Sequence, residues 1–188
     1  MKKTLLLTLC GLAALTSTAF AAGNPVGGTV RLGLFRPNDG DTRDVTADSW
    51  FGFGLDYKLR DVQFGNSPMK YSYMISLDYL NKSADFGSLS GDMRTMPILF
   101  NVVASMDNGF YYMAGAGVAF TRFSGLVLTA PEARGTSSVV TENRTKFAYQ
   151  VGVGYNLPGQ TPLSIDLRYM GNGDKELSGF GLFLGYKF

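Results

Sequence analysis

Large apolar residues alternate with small or polar ones along most of this chain. Between residues 50 and 60, every second position from Phe51 to Leu59 is large and apolar, and most intervening positions are glycine or charged. Successive side chains of a β-strand point to opposite faces, so a period of two predicts a strand with one apolar face. The pattern predicts eight strands, over residues 28–36, 50–60, 70–82, 94–106, 110–122, 145–157, 163–170 and 179–188.

The predicted strands are long for a protein that folds in water. Most have about 9–13 residues, the length that a tilted strand needs to cross a bilayer, whereas strands of water-soluble proteins average about 5–6 residues. Their number is even, and no domain boundary or low-complexity segment separates them. We therefore expect an all-β fold, an eight-stranded antiparallel up-and-down transmembrane β-barrel that occupies residues 22–188.

The first 21 residues have the layout of a secretory signal peptide. Lys2 and Lys3 precede a short apolar run, and small residues at Ala19 and Ala21 fit a signal-peptidase site. Cleavage after Ala21 would leave 15 basic and 15 acidic residues and no cysteine. A net charge of zero does not favour a nucleic-acid partner, and we expect none.

Connections between the predicted strands are of two kinds. Residues 107–109 and 156–162 form short turns, whereas residues 37–47, 83–92 and 124–144 are longer. Membrane barrels have short periplasmic turns and long outer loops. We therefore expect the longer connections on the outer side, with 124–144 as the candidate segment for an extracellular partner. Pro97 is expected near the outer rim, because proline is excluded from a central ladder.

The alternation alone is compatible with two barrels. A water-soluble, lipocalin-like barrel turns its apolar face inward, whereas a membrane barrel turns it outward to lipid. The polar face here is rich in glycine and carries few of the charges that a water-facing sheet usually has. A narrow interior accommodates glycine beside large side chains, so we favour the membrane barrel.

Charged residues on the glycine-rich face are then expected inside the lumen. Buried charges are costly unless they are paired, so we expect the aspartates to pair with the bases and to plug the lumen. The predicted lumen charges are Arg31, Asp56, Lys58, Lys70, Asp78, Lys146, Asp166, Arg168 and Lys187. Aromatic residues near the strand ends suggest an interfacial girdle, with candidates Tyr57, Tyr71, Tyr79, Tyr112, Tyr155, Tyr169, Tyr186 and Phe188.

The last ten residues resemble the terminal strand of outer-membrane barrels. In that family the chain ends on Phe with an aromatic residue two positions earlier, as Phe188 and Tyr186 do here. The family's signal often has glycine where Phe183 stands. The chain is similar to small porin-family, OmpA- and OmpX-like barrels. The resemblance implies an assembly signal read by the barrel assembly machinery, and contact with outer-membrane lipids and lipopolysaccharide.

Side chains for common enzyme chemistry are scarce. The chain has no histidine, and the predicted mature part has no cysteine, so the usual Ser–His, Cys–His and zinc constellations are absent from the sequence. Gly-x-Gly runs such as Gly152–Gly154 lie within strand patterns and do not open a helix, so they are not phosphate loops. We expect no enzyme activity and no cofactor.

Three functions therefore stay open. The first is a non-enzymatic outer-membrane barrel with a plugged lumen, which supports the envelope or presents its loops to a partner. The second is a narrow channel for small hydrophobic molecules or ions. The third is a water-soluble ligand-binding barrel.

Overall fold

The computed structural model describes residues 27–40, 42–43, 49–65, 67–86, 89–128, 137–158, 162–173 and 177–188. Within these ranges the side chains of residues 84–86, 89–90, 125–128 and 137–140 are not described. The predicted signal peptide, residues 1–21, lies outside the described residues.

Eight strands form one closed antiparallel barrel in which each strand pairs with its neighbours in sequence and β1 pairs with β8. The strands are β1 (Gly28–Pro37), β2 (Trp50–Val62), β3 (Lys70–Phe86), β4 (Leu89–Ser105), β5 (Phe110–Leu128), β6 (Ser137–Asn156), β7 (Leu163–Asn172) and β8 (Gly179–Lys187). This architecture confirms the predicted fold class. The start of β1 and the last residue of the chain meet at one end of the barrel, where Phe188 and Gly28 exchange backbone hydrogen bonds of 2.9 and 3.1 Å. We call this the terminal end of the barrel and the other the distal end.

Large apolar side chains cover the outside of the barrel. Phe51 is 57% exposed, Val151 50% and Leu184 52%, whereas the alternate positions turn inward and are mostly buried. An apolar exterior of this extent excludes the lipocalin-like arrangement, in which these residues would meet at the centre. Among the described residues, no helix has the length and apolar character required to cross a membrane.

Strands β3 to β6 are much longer than the others, and they extend past the distal end of β7, β8 and β1. The predictions of long outer loops at 83–92 and 124–144 are therefore wrong. The β3–β4 ladder runs to Phe86↔Leu89, so most of 83–92 is strand. The β5–β6 ladder runs to Leu128↔Ser137, so residues 124–128 and 137–144 of the predicted loop are strand. In these distal segments the strands stay paired, although large apolar and polar residues do not alternate as they do in a strand that faces lipid.

The connection after β1 leaves the strand through a capped turn. Asp39 Oδ2 accepts hydrogen bonds from the backbone N of Thr42 at 2.8 Å and from its Oγ1 at 2.7 Å. These two bonds lower the pKa of the Asp39 carboxyl. Arg43 Nη1 donates to the carbonyl of Pro37 at 3.1 Å and so ties the turn to the end of β1.

Pro97 lies in the middle of β4, so its predicted place near the rim is wrong. The β3–β4 ladder is interrupted between the pairs Leu77↔Ile98 and Leu80↔Thr95, and Pro97 falls within this interruption. Proline has no backbone N–H to donate, which explains why the ladder tolerates it only at such a break. On its other side Pro97 stays in register with Ala119 of β5.

Candidate functional site

A cluster of five charged side chains crosses the middle of the lumen. Arg31 contacts two carboxylates, with its Nε 2.8 Å from Asp56 Oδ2 and its Nη2 2.9 Å from Asp78 Oδ1. Arg168 Nη2 lies 2.9 Å from Asp56 Oδ2 and 3.4 Å from Asp166 Oδ2. All five side chains are almost completely buried. Asp56 therefore bridges the two guanidinium groups, and Asp78 and Asp166 flank them.

A chain of neutral polar side chains extends this cluster to the opposite wall. Gln150 Nε2 donates to Asn101 Oδ1 at 2.6 Å, and Asn101 Nδ2 donates to Ser76 Oγ at 2.8 Å. Ser76 Oγ in turn donates to Asp56 Oδ1 at 2.5 Å. The hydroxyl of Tyr111 donates to Asp166. We call the five charged residues together with these four neutral ones the polar layer; it takes side chains from seven of the eight strands.

The remaining strand, β8, contributes an aromatic ring beside the polar layer. The ring centroid of Phe183 lies 5.3 Å from Arg31 Cζ and 5.9 Å from Arg168 Cζ, within cation–π range. On the distal side, an apolar layer covers the polar one; it consists of Phe35, Trp50, Leu80, Met93, Phe123, Met170, Leu177 and Phe183. On the terminal side, Val103, Tyr111 and Met113 form a smaller buried cluster. All three levels of the lumen are filled by side chains.

Glycines opposite the large lumen residues make this filling possible. Gly54 pairs with Arg31 on one side and with Asp78 on the other, and a Cβ on it would lie 2.8 Å from Arg31 Cζ. Gly154 pairs with Asp166, and a Cβ there would overlap the ring of Tyr111. The glycines within the strands thus provide space for inward side chains, as expected from the sequence.

The predicted lumen lysines lie outside the polar layer. Lys58 is exposed and pairs with Asp61 at 2.6 Å, because a bulge between Lys58 and Arg60 changes the register near the end of β2. Lys70 pairs with Asp107 at 2.9 Å on the surface of the terminal end. Their predicted positions inside the lumen are therefore wrong.

Lys146 and Lys187 lie at the two ends of the barrel. Lys146 is exposed near the distal end, because β6 extends there past the last residue of β7. Lys187 is half-buried at the terminal end, where its Nζ donates to Asn156 and lies 5.7 Å from the ring centroid of Tyr111. Of the nine charges predicted to lie inside the lumen, the structure brings together Arg31, Asp56, Asp78, Asp166 and Arg168.

The prediction omitted the four neutral members of the polar layer, Ser76, Asn101, Tyr111 and Gln150. Each occupies a glycine-rich-face position, and each is buried in the lumen. Their inward parity was visible in the sequence, but alternation gives no strand register and hence no partner. Hydrogen-bonding capacity on the inward face was the signal that could have identified them.

The predicted girdle tyrosines lie on the outside of the barrel in two groups. Tyr57, Tyr71, Tyr112, Tyr155 and Tyr186 are near the terminal end, and Tyr79 and Tyr169 are in the distal half. Several pack against a neighbouring ring; the centroids of Phe110 and Tyr155, for example, are 4.7 Å apart. Their level relative to the lipid headgroups stays a prediction.

The sequence matches the model of the outer membrane protein beta-barrel domain family over residues 7–188. The chain therefore belongs to this family of outer-membrane barrel proteins. No match was found among curated proteins. Among the described residues, no group of three or more potential metal-ligating side chains is present.

Solved structures with similar folds are small outer-membrane barrels. One is the attachment invasion locus protein Ail of Yersinia pestis in complex with the heparin analogue sucrose octasulfate, with a TM-score of 0.54, 17% identity and coverage of 86% of this chain and 99% of that chain. Another is OprG of Pseudomonas aeruginosa, with a TM-score of 0.50, 16% identity and coverage of 88% and 98%. At this level of identity the likeness shows the fold.

Proposed function

We propose that this protein is a non-enzymatic outer-membrane barrel with a closed lumen, which supports the envelope and presents its distal hairpins to the outside. In this orientation the terminal end faces the periplasm, as the short connections 105–110 and 156–163 favour. The β5–β6 hairpin is then the segment that an extracellular partner would reach first.

The polar layer is the observation that carries this proposal. Each guanidinium is shared between two aspartates, Arg31 with Asp56 and Asp78 and Arg168 with Asp56 and Asp166, and these buried side chains fill the middle of the lumen. The apolar layer lies directly distal to them, with Trp50, Phe35 and Phe183 at most 1% exposed. An ion would have to displace both layers to pass.

Planar-bilayer recordings test the closed lumen. Residues 22–188, refolded in detergent and inserted into the bilayer, should give no stable single-channel steps. A 16-stranded porin prepared in the same way serves as the positive control, because barrels of that size enclose an aqueous channel. Heat-modifiable migration on gels verifies that the inserted protein is folded. Reproducible steps of one amplitude from the folded protein would contradict the proposal.

A second candidate function, a lateral path for small hydrophobic molecules, is favoured by the break at Pro97. The interruption of the β3–β4 ladder lies next to a small cavity of about 10 Å³, lined mainly by Leu80, Thr95, Leu99, Ala119, Met170 and neighbouring residues. An opening at this interruption would lead toward the lipid and not along the barrel axis, so it is compatible with a closed lumen.

Uptake of a small apolar fluorophore into proteoliposomes tests this second candidate. The variant Pro97→Val can donate a backbone hydrogen bond to β3 and should lower the uptake rate severalfold if the break is the path. Ile98→Val, which changes the adjacent outward side chain only by a methyl group, is the matched control. Equal rates for the wild type, both variants and empty liposomes would refute the lateral path.

A further inference from the structure

The dipeptide Asn-Gly occurs twice in this chain, and the structure holds the two copies differently. Asn108–Gly109 lies in the turn between β4 and β5 at the terminal end, whereas Asn172–Gly173 lies where β7 ends. The backbone nitrogen of the residue after an asparagine can attack the carbon of the asparagine side-chain amide. Glycine hinders this attack least, because it has no Cβ and adopts many backbone conformations. The two copies can therefore be compared within one molecule.

The turn between β4 and β5 leaves the first copy accessible. Asn108 is exposed, and Gly109 has a φ of 93°, in the left-handed region. The nitrogen of Gly109 donates to the carbonyl of Met106 at 3.2 Å. This bond lies within the turn, so the nitrogen can leave it without separating β4 from β5. Local openings of this kind need far less free energy than the opening of a strand ladder.

The side-chain amide of Asn108 also has a hydrogen-bond donor at its oxygen. The backbone nitrogen of Phe110 donates to Asn108 Oδ1 at 3.2 Å. Attack on the amide carbon moves negative charge onto this oxygen, and a donor already placed there stabilises that charge. The turn thus combines an accessible amide, a weakly held nucleophilic nitrogen and a donor for the developing charge.

The second copy is held in the barrel wall. Asn172 is the last residue of β7 and pairs with Ala148 of β6. The nitrogen of Gly173 donates to the carbonyl of Phe147 at 2.9 Å, and the backbone nitrogen of Asn172 donates to Ser178 Oγ at 3.1 Å. The nitrogen of Gly173 must leave a bond between two neighbouring strands before it can attack. We therefore expect the Asn172 amide to persist in the folded barrel.

We propose that Asn108 is a modification site, at which the folded barrel loses the side-chain amide and acquires an isoaspartyl residue. The nitrogen of Gly109 forms a bond to Cγ of Asn108, and its proton passes through solvent to the side-chain nitrogen, which leaves as ammonia. Water then opens the succinimide ring at one of its two carbonyl groups, which gives either an aspartyl or an isoaspartyl product. One water molecule is consumed, one ammonia is released, and no electrons are transferred.

The product changes both the charge and the backbone of the turn. A new carboxylate arises next to Asp107, whose Oδ1 lies 2.9 Å from Lys70 Nζ on the surface of the terminal end. In the isoaspartyl form the main chain passes through the former side chain and gains one methylene group. The turn then no longer has the length that lets the nitrogen of Met106 donate to the carbonyl of Phe110 at 2.8 Å. The modification therefore loosens the connection between β4 and β5.

Incubation of the refolded barrel in detergent at mildly alkaline pH, followed by digestion and mass spectrometry, tests the site. The conversion of amide to acid should be at least about tenfold faster at Asn108 than at Asn172, because a turn opens more easily than a ladder. Fragmentation by electron transfer should identify an isoaspartyl product at position 108. The same chain unfolded in urea is the matched control, in which both asparagines should react at similar rates. The variant Asn108→Gln, whose longer side chain cyclises much more slowly, should show no conversion at this position.

Three results would overturn the proposal. One is a stable Asn108 amide in the folded barrel under conditions in which the unfolded chain reacts at both sites. The second is an equal rate at Asn108 and Asn172 in the folded barrel, which would show that the turn confers no selectivity. The third is a purely aspartyl product, which would indicate direct hydrolysis without a succinimide. Heat-modifiable migration verifies that the barrel stays folded during the incubation. The reaction depends on the turn and not on whether the lumen conducts, so its failure is distinct from that of the proposed function.

Discussion

Replacement of Arg168 by methionine should destabilise the barrel strongly, because it leaves buried carboxylates without a base. Arg168 contacts Asp56 and Asp166. Without it, Asp56 keeps Arg31 as an ion-pair partner, whereas Asp166 keeps the Tyr111 hydroxyl and no described base within salt-bridge distance. Methionine preserves much of the apolar stem, so lost packing contributes little.

The magnitude follows from the cost of leaving a buried charge without its partner. Removal of one partner of a buried ion pair typically costs about 3–5 kcal/mol. We therefore expect a loss of about 4 kcal/mol in the free energy of unfolding.

The chain provides its own probe for this measurement. Trp50 is the only tryptophan, and it is fully buried in the apolar layer with its ring centroid 5.7 Å from that of Phe35. Urea titration of the barrel in short-chain phospholipid vesicles, followed by Trp50 fluorescence, therefore reports unfolding of the lumen directly.

Two further variants make the result interpretable. Arg60→Met removes an exposed guanidinium beside Tyr73 and should cost at most about 1 kcal/mol. Asp166→Asn, combined with Arg168→Met, removes the orphaned charge and should recover about 2 kcal/mol, a coupling within the usual range. If Arg168→Met costs no more than Arg60→Met, or if Asp166→Asn recovers nothing, the polar layer does not balance charge as we argue.

Three other substitutions test the space beside Gly54 in the lumen, the lipid-facing exterior at Leu184 and the predicted assembly signal at Phe188. Gly54→Ala should cost about 1–3 kcal/mol in the same urea titration, because the new Cβ would crowd Arg31; Gly40→Ala, whose Cβ would meet nothing closer than 3.9 Å, should be neutral. Leu184→Arg should cost about 2–4 kcal/mol if this 52% exposed side chain faces hydrocarbon; a negligible cost in vesicles would contradict the membrane exterior. Phe188→Ala should reduce the folded fraction in cells but not the yield of refolding in detergent, as measured by heat-modifiable migration; equal loss in both would show a purely structural role.

The membrane-crossing part of each strand was predictable because lipid imposes a strict period of two. Leu182 and Leu184 must face hydrocarbon, so Phe183 between them must face the lumen. The distal parts of β5 and β6 lie beyond this constraint. Thr141 and Glu142 point to opposite faces of β6, and both are exposed. Apolar and polar residues therefore do not alternate in this part of the chain, and the sequence pattern does not indicate that the strand continues.

Partners inside the lumen were not predictable from the face alone. Asp56 and Lys58 have the same parity, but Asp56 reaches both buried guanidinium groups whereas Lys58 stands at a bulge near the end of its strand. Register and bulges depend on pairing between strands far apart in sequence. The charges near the middle of their strands met as expected, and those near the ends did not.

Strand β6 extends past the end of its ladder with β7. This ladder ends at Ala148↔Asn172, apart from one further bond between Phe147 and Gly173, so the described ladder between β6 and β7 does not cover the backbone of residues 137–146. A strand edge that no neighbouring strand covers can pair with strands of other molecules and start aggregation. Glu142, Arg144 and Lys146 alternate along this stretch, and charged side chains are a known protection against such recruitment. Neutralising them together should make the folded barrel prone to self-association.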